Sequence, residues 1–133
     1  MKPIKLKIKT KSQNYPIIIG SNLILNISKV IKNNSIDFKN CLLIIDSKIS
    51  KKIIFNIKKS LNNKKVYLFS FKANEKNKNL NYINKILDIL LKKNFSRDDC
   101  VISIGGGITG DISGFAASLF KRGIKFVNVP TTL

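Results

Sequence analysis

The stretch SIGGGITGDISGFAASLFKRG, Ser103–Gly123, carries the chain's densest set of groups able to meet a ligand. Gly105, Gly107 and Gly110 satisfy G-x-G-x-x-G, directly after the apolar run Cys100–Ile104 and at the start of an amphipathic segment. In that setting glycine lets a ligand approach the backbone without meeting a Cβ. The helix start adds free N–H groups and a positive dipole end suited to a pyrophosphate. A bare strand-to-helix turn has the same pattern, so spacing alone leaves both readings open. Asp111 either favours the helix dipole or accepts bonds from ribose hydroxyls or amide N–H groups. The ordinary dinucleotide fingerprint wants an acid about 20 residues on, at the end of the next strand. That strand, KFVNVP, has none. An earlier apolar run, CLLIID, does end in an acid, so a bound dinucleotide would turn its adenosine end toward Asp46. Asp46 is equally suited to capping the helix after it. Thr131 and Thr132 follow the last apolar run, where their hydroxyls can bind a ligand or cap a turn.

The elements that must hold these groups are legible from periodicity. Ile4–Thr10 alternates as a strand, Tyr15–Gly20 is a second, and SQN between them reads as a hairpin turn. Ser21 or Asn22 is placed to cap a helix carrying Leu23, Ile27, Val30 and Ile31. Cys41–Asp46, Val66–Phe71 and Cys100–Ile104 are short runs suited to buried parallel strands. A helix with Ile49, Ile53, Ile57 and Leu61 four apart follows the first, and a stripe of Leu80, Ile83, Ile86, Leu87, Leu90 and Leu91 follows the second. A polar loop, Lys72–Asn79, precedes that stripe. After the glycines a helix is predicted from about Gly110 to Lys121, with Ile112, Phe115, Ala116 and Leu119 facing inward, and then a strand over Lys125–Pro130. Strand and helix alternate at roughly 30-residue spacing after residue 40, which predicts an α/β fold: a Rossmann-like open parallel sheet, helices on both faces, with an N-terminal hairpin. A single domain, 1–133, is expected, and no covering helix follows Pro130 in the sequence.

Composition narrows the chemistry. The chain has no histidine, which excludes a histidine-ligated metal or a histidine base contributed by these residues. Cys41 and Cys100 each begin an apolar run and are expected as buried, reduced thiols. The formal net charge is +18. The lysines are spread over every segment, few aromatics interleave with them, and the richness in Lys, Asn, Ile and Phe matches A/T-rich codon usage, so no specific nucleic-acid binding is expected. The apolar runs are too short and too broken for a membrane helix, and the N-terminus lacks the apolar core of a signal peptide. A cytoplasmic location is the default expectation.

GGGITGDISGFAASLFKRGIKFVNVPTTL resembles the central signature of the 3-dehydroquinate synthase family, with the GD pair, GFAA, KRG and PTTL in register. YPIIIGSNLI is similar to the family's opening strand and turn. NEKNKNL, Asn74–Leu80, is similar to its G-E-x-x-K-x-L loop and keeps Glu75, Lys78 and Leu80. Only the last third of the chain is specific. Two departures stand out: Ala73-Asn74 replaces the usual Asp-Gly, with Asn74 expected to take over the left-handed turn, and Asn77 replaces a usual Tyr.

The resemblance implies the N-terminal NAD-binding portion of a sugar-phosphate cyclase, ending before the helical domain that carries the metal ligands. It implies NAD contacts at Asp46, at Ala73, Asn74, Glu75, Lys76, Asn77 and Lys78, at Gly107, Ile108, Thr109, Gly110 and Asp111, and at Thr131 and Thr132. Arg122 matches an arginine that reaches the substrate phosphate of the neighbouring subunit in a homodimer. No catalytic residue and no metal ligand falls on this chain; the divalent metal, zinc or cobalt, belongs to the remainder of the enzyme. The implied reaction converts 3-deoxy-arabino-heptulosonate 7-phosphate to 3-dehydroquinate and phosphate in the shikimate pathway, and these residues alone are expected to be inactive. Another sugar-phosphate cyclase or a non-catalytic remnant are the competing expectations.

Overall fold

A computed structural model describes residues 2–131. Its elements run β1 (Ile4–Lys9), β2 (Asn14–Ile19), a 3-10 turn (Leu23–Asn26), α1 (Ile27–Asn33), β3 (Asn40–Asp46), α2 (Lys51–Ser60), β4 (Lys65–Phe71), a 3-10 turn (Glu75–Asn77), α3 (Leu80–Lys92), β5 (Cys100–Gly105), α4 (Gly107–Leu119), a 3-10 turn (Phe120–Arg122) and β6 (Lys125–Pro130).

β1 and β2 pair antiparallel from Ile4–Ile19 to Lys9–Asn14. The turn is closed by Thr10, whose N–H and hydroxyl both donate to the Gln13 carbonyl at 2.9 and 2.8 Å. The main sheet is parallel, in the order β4-β3-β5-β6. β3 and β5 are buried along nearly their whole length, which is why their sequences are apolar without alternation.

Successive residues of a strand face opposite ways, and the two core layers follow that rule. Leu42, Ile44, Phe71 and Val101 meet α3 and α4 on one face, through Ile83, Ile86, Leu90, Ile112 and Ala116. Cys41, Leu43, Ile45, Cys100, Ile102 and Ile104 meet α1 and α2 on the other, through Ile27, Ile31 and Ile57. Each fully buried Leu or Ile contributes about 1.5–3 kcal/mol over leaving it in water. Both cysteines are free and fully buried, as expected.

Local details differ from the sequence reading. Neither Ser21 nor Asn22 caps a helix; Asn22 is left-handed at φ 56° and its side chain makes no cap bond. α2 is capped by Ser50, whose hydroxyl accepts from Ile53 N. α4 begins at Gly107, a turn earlier than periodicity suggests. Its inward face is Thr109, Ile112, Ser113, Ala116 and Ala117, while Phe115 and Leu119 are about half exposed. The reason is close packing. A Cβ on Gly110 would lie 3.1 Å from Asn128 Oδ1, and one on Gly114 would lie 3.2 Å from the Phe126 ring. The helix rests on β6 by its small residues, which rotates the bulky ones outward.

Candidate functional site

The carboxyl edge of the parallel sheet gathers most of the candidate residues, and the strand order explains why. After β3 the chain turns to α2 on one face and out to β4. After β5 it turns to α4 on the other face and out to β6. The chain therefore leaves β3 and β5 toward opposite faces, and at such a switch point open α/β sheets take ligands, in the crevice outside the strand ends. Asp46 and Gly105 stand side by side at this point. A Cβ on Gly105 would sit 3.1 Å from Asp46 Cβ and 2.8 Å from Thr109 Oγ1, so this position has no room for a side chain. Thr131 N donates to the Gly105 carbonyl at 2.8 Å, which holds the end of β6 beside the turn.

The glycines divide into two kinds. Gly105, Gly110 and Gly114 are glycine because protein packs against them. Gly107 has nothing within 4 Å of where its Cβ would be. Gly106 is the N-cap of α4 and supplies no side-chain bond, and the first helical bond runs from Gly110 N to Gly106 O at 3.1 Å. The leading amides of α4 are thus uncapped beside open space, an arrangement suited to an anion.

Thr109 is fully buried beneath this turn, and its hydroxyl has no hydrogen-bond partner; the same holds for Ser103 Oγ on β5. A buried unpaired hydroxyl is costly. The Thr109 side chain faces the sheet, so only its backbone N–H is available to a ligand. Asp46 is half-buried, and its Oδ1 accepts from Lys48 N at 3.2 Å. That bond turns the chain locally. With Ser50 capping α2, the helix-cap reading of Asp46 does not hold.

The loop after β4 forms the second wall. Asn74 accepts from Asn77 N at 2.8 Å through its side chain, and Asn77 Nδ2 donates to the Lys72 carbonyl at 2.8 Å. Asn74 has φ −153°, extended, so it does not replace a left-handed glycine; it serves as a cap. Ala73 packs toward the α3–α4 core layer, while Glu75 and Lys76 are exposed. Lys78 Nζ donates to Asp111 Oδ2 at 3.0 Å, joining this loop to α4. That bond and the Asp111 charge raise the Lys78 pKa above its ordinary value. Asp111 lies one turn into α4, so its partner is Lys78 more than the helix dipole.

Two candidates stand apart. Arg122 lies before the start of β6, at the opposite edge of the sheet. β6 has six residues, so the two edges are about 20 Å apart, and Arg122 cannot serve its own chain's crevice. Thr132 lies outside the described residues. Among the described residues no cluster of His, Cys, Asp or Glu fit to hold a metal is present, and no helix is long and apolar enough to cross a membrane.

Residues 68–133, which include the loop, the glycine turn and the end of β6, match the model of the 3-dehydroquinate synthase N-terminal family. The chain belongs to the 3-dehydroquinate synthase family. It is 60% identical over 130 residues to the 3-dehydroquinate synthase of Pelagibacter ubique, covering 98% of this chain and 35% of that one. It is 40% identical over 134 residues to the 3-dehydroquinate synthase of Buchnera aphidicola subsp. Cinara cedri, covering 96% and 35%. The chain spans about a third of the length of these 3-dehydroquinate synthases. Its fold is shared with a 2-deoxy-scyllo-inosose synthase, at TM-score 0.85 and 22% identity over 97% of this chain and 36% of that one. It is shared also with a 2-epi-5-epi-valiolone synthase from Streptomyces hygroscopicus subsp. jinggangensis with NAD+ and Zn2+ bound, at TM-score 0.76 and 23% identity over 94% and 34%.

The tertiary structure brings out two buried polar residues that spacing did not single out. Ser103 and Ser113 continue the polar seam from Thr109 between β5 and α4, with Ser113 Oγ donating to the Thr109 carbonyl at 2.7 Å. Hydroxyl residues at sheet-facing positions of an otherwise apolar strand and helix were the only signal for that seam.

Proposed function

We propose that residues 1–133 form the NAD-binding domain of a 3-dehydroquinate synthase, which converts 3-deoxy-arabino-heptulosonate 7-phosphate to 3-dehydroquinate and phosphate. The observation that carries this reading is the switch point of the sheet, where Asp46 at the end of β3 adjoins Gly105 at the end of β5. It combines an acid at one strand end with the uncapped, open Gly107 turn at the other, and that turn lies inside residues 68–133, which match the family. The pyrophosphate of NAD fits the amides of Gly107, Ile108 and Thr109, since no Cβ intrudes and no side chain occupies them. Asp46 suits the adenosine ribose. Residues Ala73 to Lys78 and Asp111 enclose the cofactor from the β4 side, and Thr131 does so from the β6 side; Thr132 is a further contact by family resemblance alone.

NAD, when bound, supplies a reversible hydride acceptor. The chain's own part is to bind, orient and exclude water. A 2-deoxy-scyllo-inosose synthase of the same fold is known complexed with carbaglucose-6-phosphate, NAD+ and Co2+, which supports NAD and a divalent metal, zinc or cobalt, in the complete enzyme. The metal ligands would lie outside this chain. In a cytoplasmic homodimer, Arg122 would bind the substrate phosphate in the partner's site, in keeping with its distance from its own crevice.

The test is to join the chain in frame to the remainder of the Pelagibacter ubique relative and assay phosphate release from 3-deoxy-arabino-heptulosonate 7-phosphate. NAD-dependent release is expected. Turnover of a different sugar phosphate alone would transfer the chain to another cyclase, and a folded but inert product would leave the remnant reading. The isolated chain is expected to bind NAD weakly; micromolar affinity by calorimetry would contradict that.

A further inference from the structure

Of the 25 basic residues, only Arg97 and Arg122 are arginine, and the fold brings both to one open depression at the amino edge of the sheet. Asp98, Gly123, Ile124 and Lys125 complete its lining. Lysine suffices for solubility and for diffuse charge. Arginine differs in its planar fork, which grips a phosphate or carboxylate in two bonds.

The backbone carrying Arg122 is unusual. Lys121, Arg122 and Gly123 have φ of 45°, 64° and 114°, so two residues with side chains sit in the left-handed region. Such conformations persist only where surrounding structure over-determines them. Here the Phe95–Asp99 loop does so with three bonds. Lys121 Nζ donates to the Phe95 carbonyl at 2.9 Å, Arg97 Nε donates to the Gly123 carbonyl at 3.4 Å, and Lys125 Nζ donates to the Asp98 carbonyl at 3.1 Å. The loop is itself anchored. Asp99 is 5% exposed and accepts from Ser96 N at 2.9 Å and from Asn40 N at 3.0 Å.

We propose that Arg97 is a positioning residue: it pins the Lys121–Gly123 turn so that Arg122 presents its guanidinium to a phosphate monoester, and it adds a second positive charge to the same depression. The inference rests on the reading of Arg122 as a phosphate-binding residue. It adds what holds that arginine in its strained pose, and why the chain spends its two arginines on neighbouring positions.

With two arginines, the full chain yields two Nε–H signals in a nitrogen-15 spectrum, and both can be followed during titration with inorganic phosphate. The Arg122 signal is expected to move. In R97A its apparent affinity should fall about fivefold to tenfold, and the Gly123 and Ile124 amides should exchange about tenfold faster. R97K should restore amide protection in part. Unchanged phosphate affinity of Arg122 in R97A would overturn the role of Arg97 while leaving the Arg122 reading intact. An Arg122 signal indifferent to phosphate in the unsubstituted chain would overturn the Arg122 reading and this inference with it. If R97A does not fold, R97Q is measured by the same two readouts.

Discussion

Lys78 Nζ lies 3.0 Å from Asp111 Oδ2, a bond between residues 33 apart in sequence that fastens the loop after β4 to the outer side of α4. Both side chains are substantially exposed, so the pair is a fastener for the loop more than a source of stability. It determines which wall the crevice has on the β4 side before any ligand arrives.

D111N should release that fastener. The amides of residues 75–78 are expected to exchange severalfold faster, with the melting midpoint within about 2 °C of the parent. The sign with pH follows from the raised Lys78 pKa. The contribution is complete below the ordinary lysine value and is lost as pH rises through the higher folded value. Loop exchange rates for parent and D111N should therefore converge in strong alkali; rates that stay apart there would show another cause.

Gly105 and Gly107 are two positions apart and should respond oppositely to alanine. G105A drives a Cβ to 2.8 Å from Thr109 Oγ1 and is expected to cost about 1–3 kcal/mol in urea unfolding, partly recovered by T109A in the same chain. G107A meets open space and should leave stability within about 0.5 kcal/mol. Whatever NAD affinity calorimetry detects should fall in G107A, because the new methyl group faces the uncapped amides. Equal destabilisation by the two substitutions would refute the division of the glycines.

Burial by itself would raise the Asp99 pKa, but bonds from Ser96 and Asn40 outweigh it and hold the carboxyl below its ordinary range. A depressed folded value means stability that is present above the unfolded carboxylate pKa and lost as pH falls through the folded one. D99N keeps the shape and loses acceptor capacity, and should cost about 1–3 kcal/mol at pH 7. The difference between D99N and the parent should shrink as pH falls below the ordinary carboxylate range. A constant difference over that fall would show that the charge plays no part.

Cys41 and Cys100 are register partners on β3 and β5. Burial pushes both thiols up, Cys100 to about 12 and Cys41 further. Neither should react with an aromatic disulfide reagent in the native chain, and both should react in denaturant. The unfolded thiols ionise near the ordinary thiol pKa while the folded ones stay protonated. Stability should then decline above about pH 9, by up to about 1.4 kcal/mol per pH unit for each thiol. C41A and C100A should each flatten that decline.

The main outline was legible in sequence because it rests on short-range rules. Continuous apolar runs marked β3 and β5, since a parallel strand covered on both faces has no polar side to show. A 3.6-residue stripe marked α3, which buries Ile83, Ile86 and Leu90. The glycine turn was also readable as a strand-to-helix junction, since backbone freedom and helix termini are local properties.

What sequence could not supply depends on which surfaces meet. Phe115 and Leu119 look like core residues by size and spacing, yet they face out, because Gly110 and Gly114 let α4 settle on Asn128 and Phe126. Asp46 looked like a helix cap until the structure gave that place on α2 to Ser50, and strand order set Asp46 beside Gly105. Arg97 stood out in sequence only as one of two arginines, with nothing to pair it with the other, until the packing of its loop against the Lys121–Gly123 turn brought it to Arg122. Periodicity reports how one segment divides its own faces. The neighbour each face meets is decided by strand order and by how closely helices can approach the sheet.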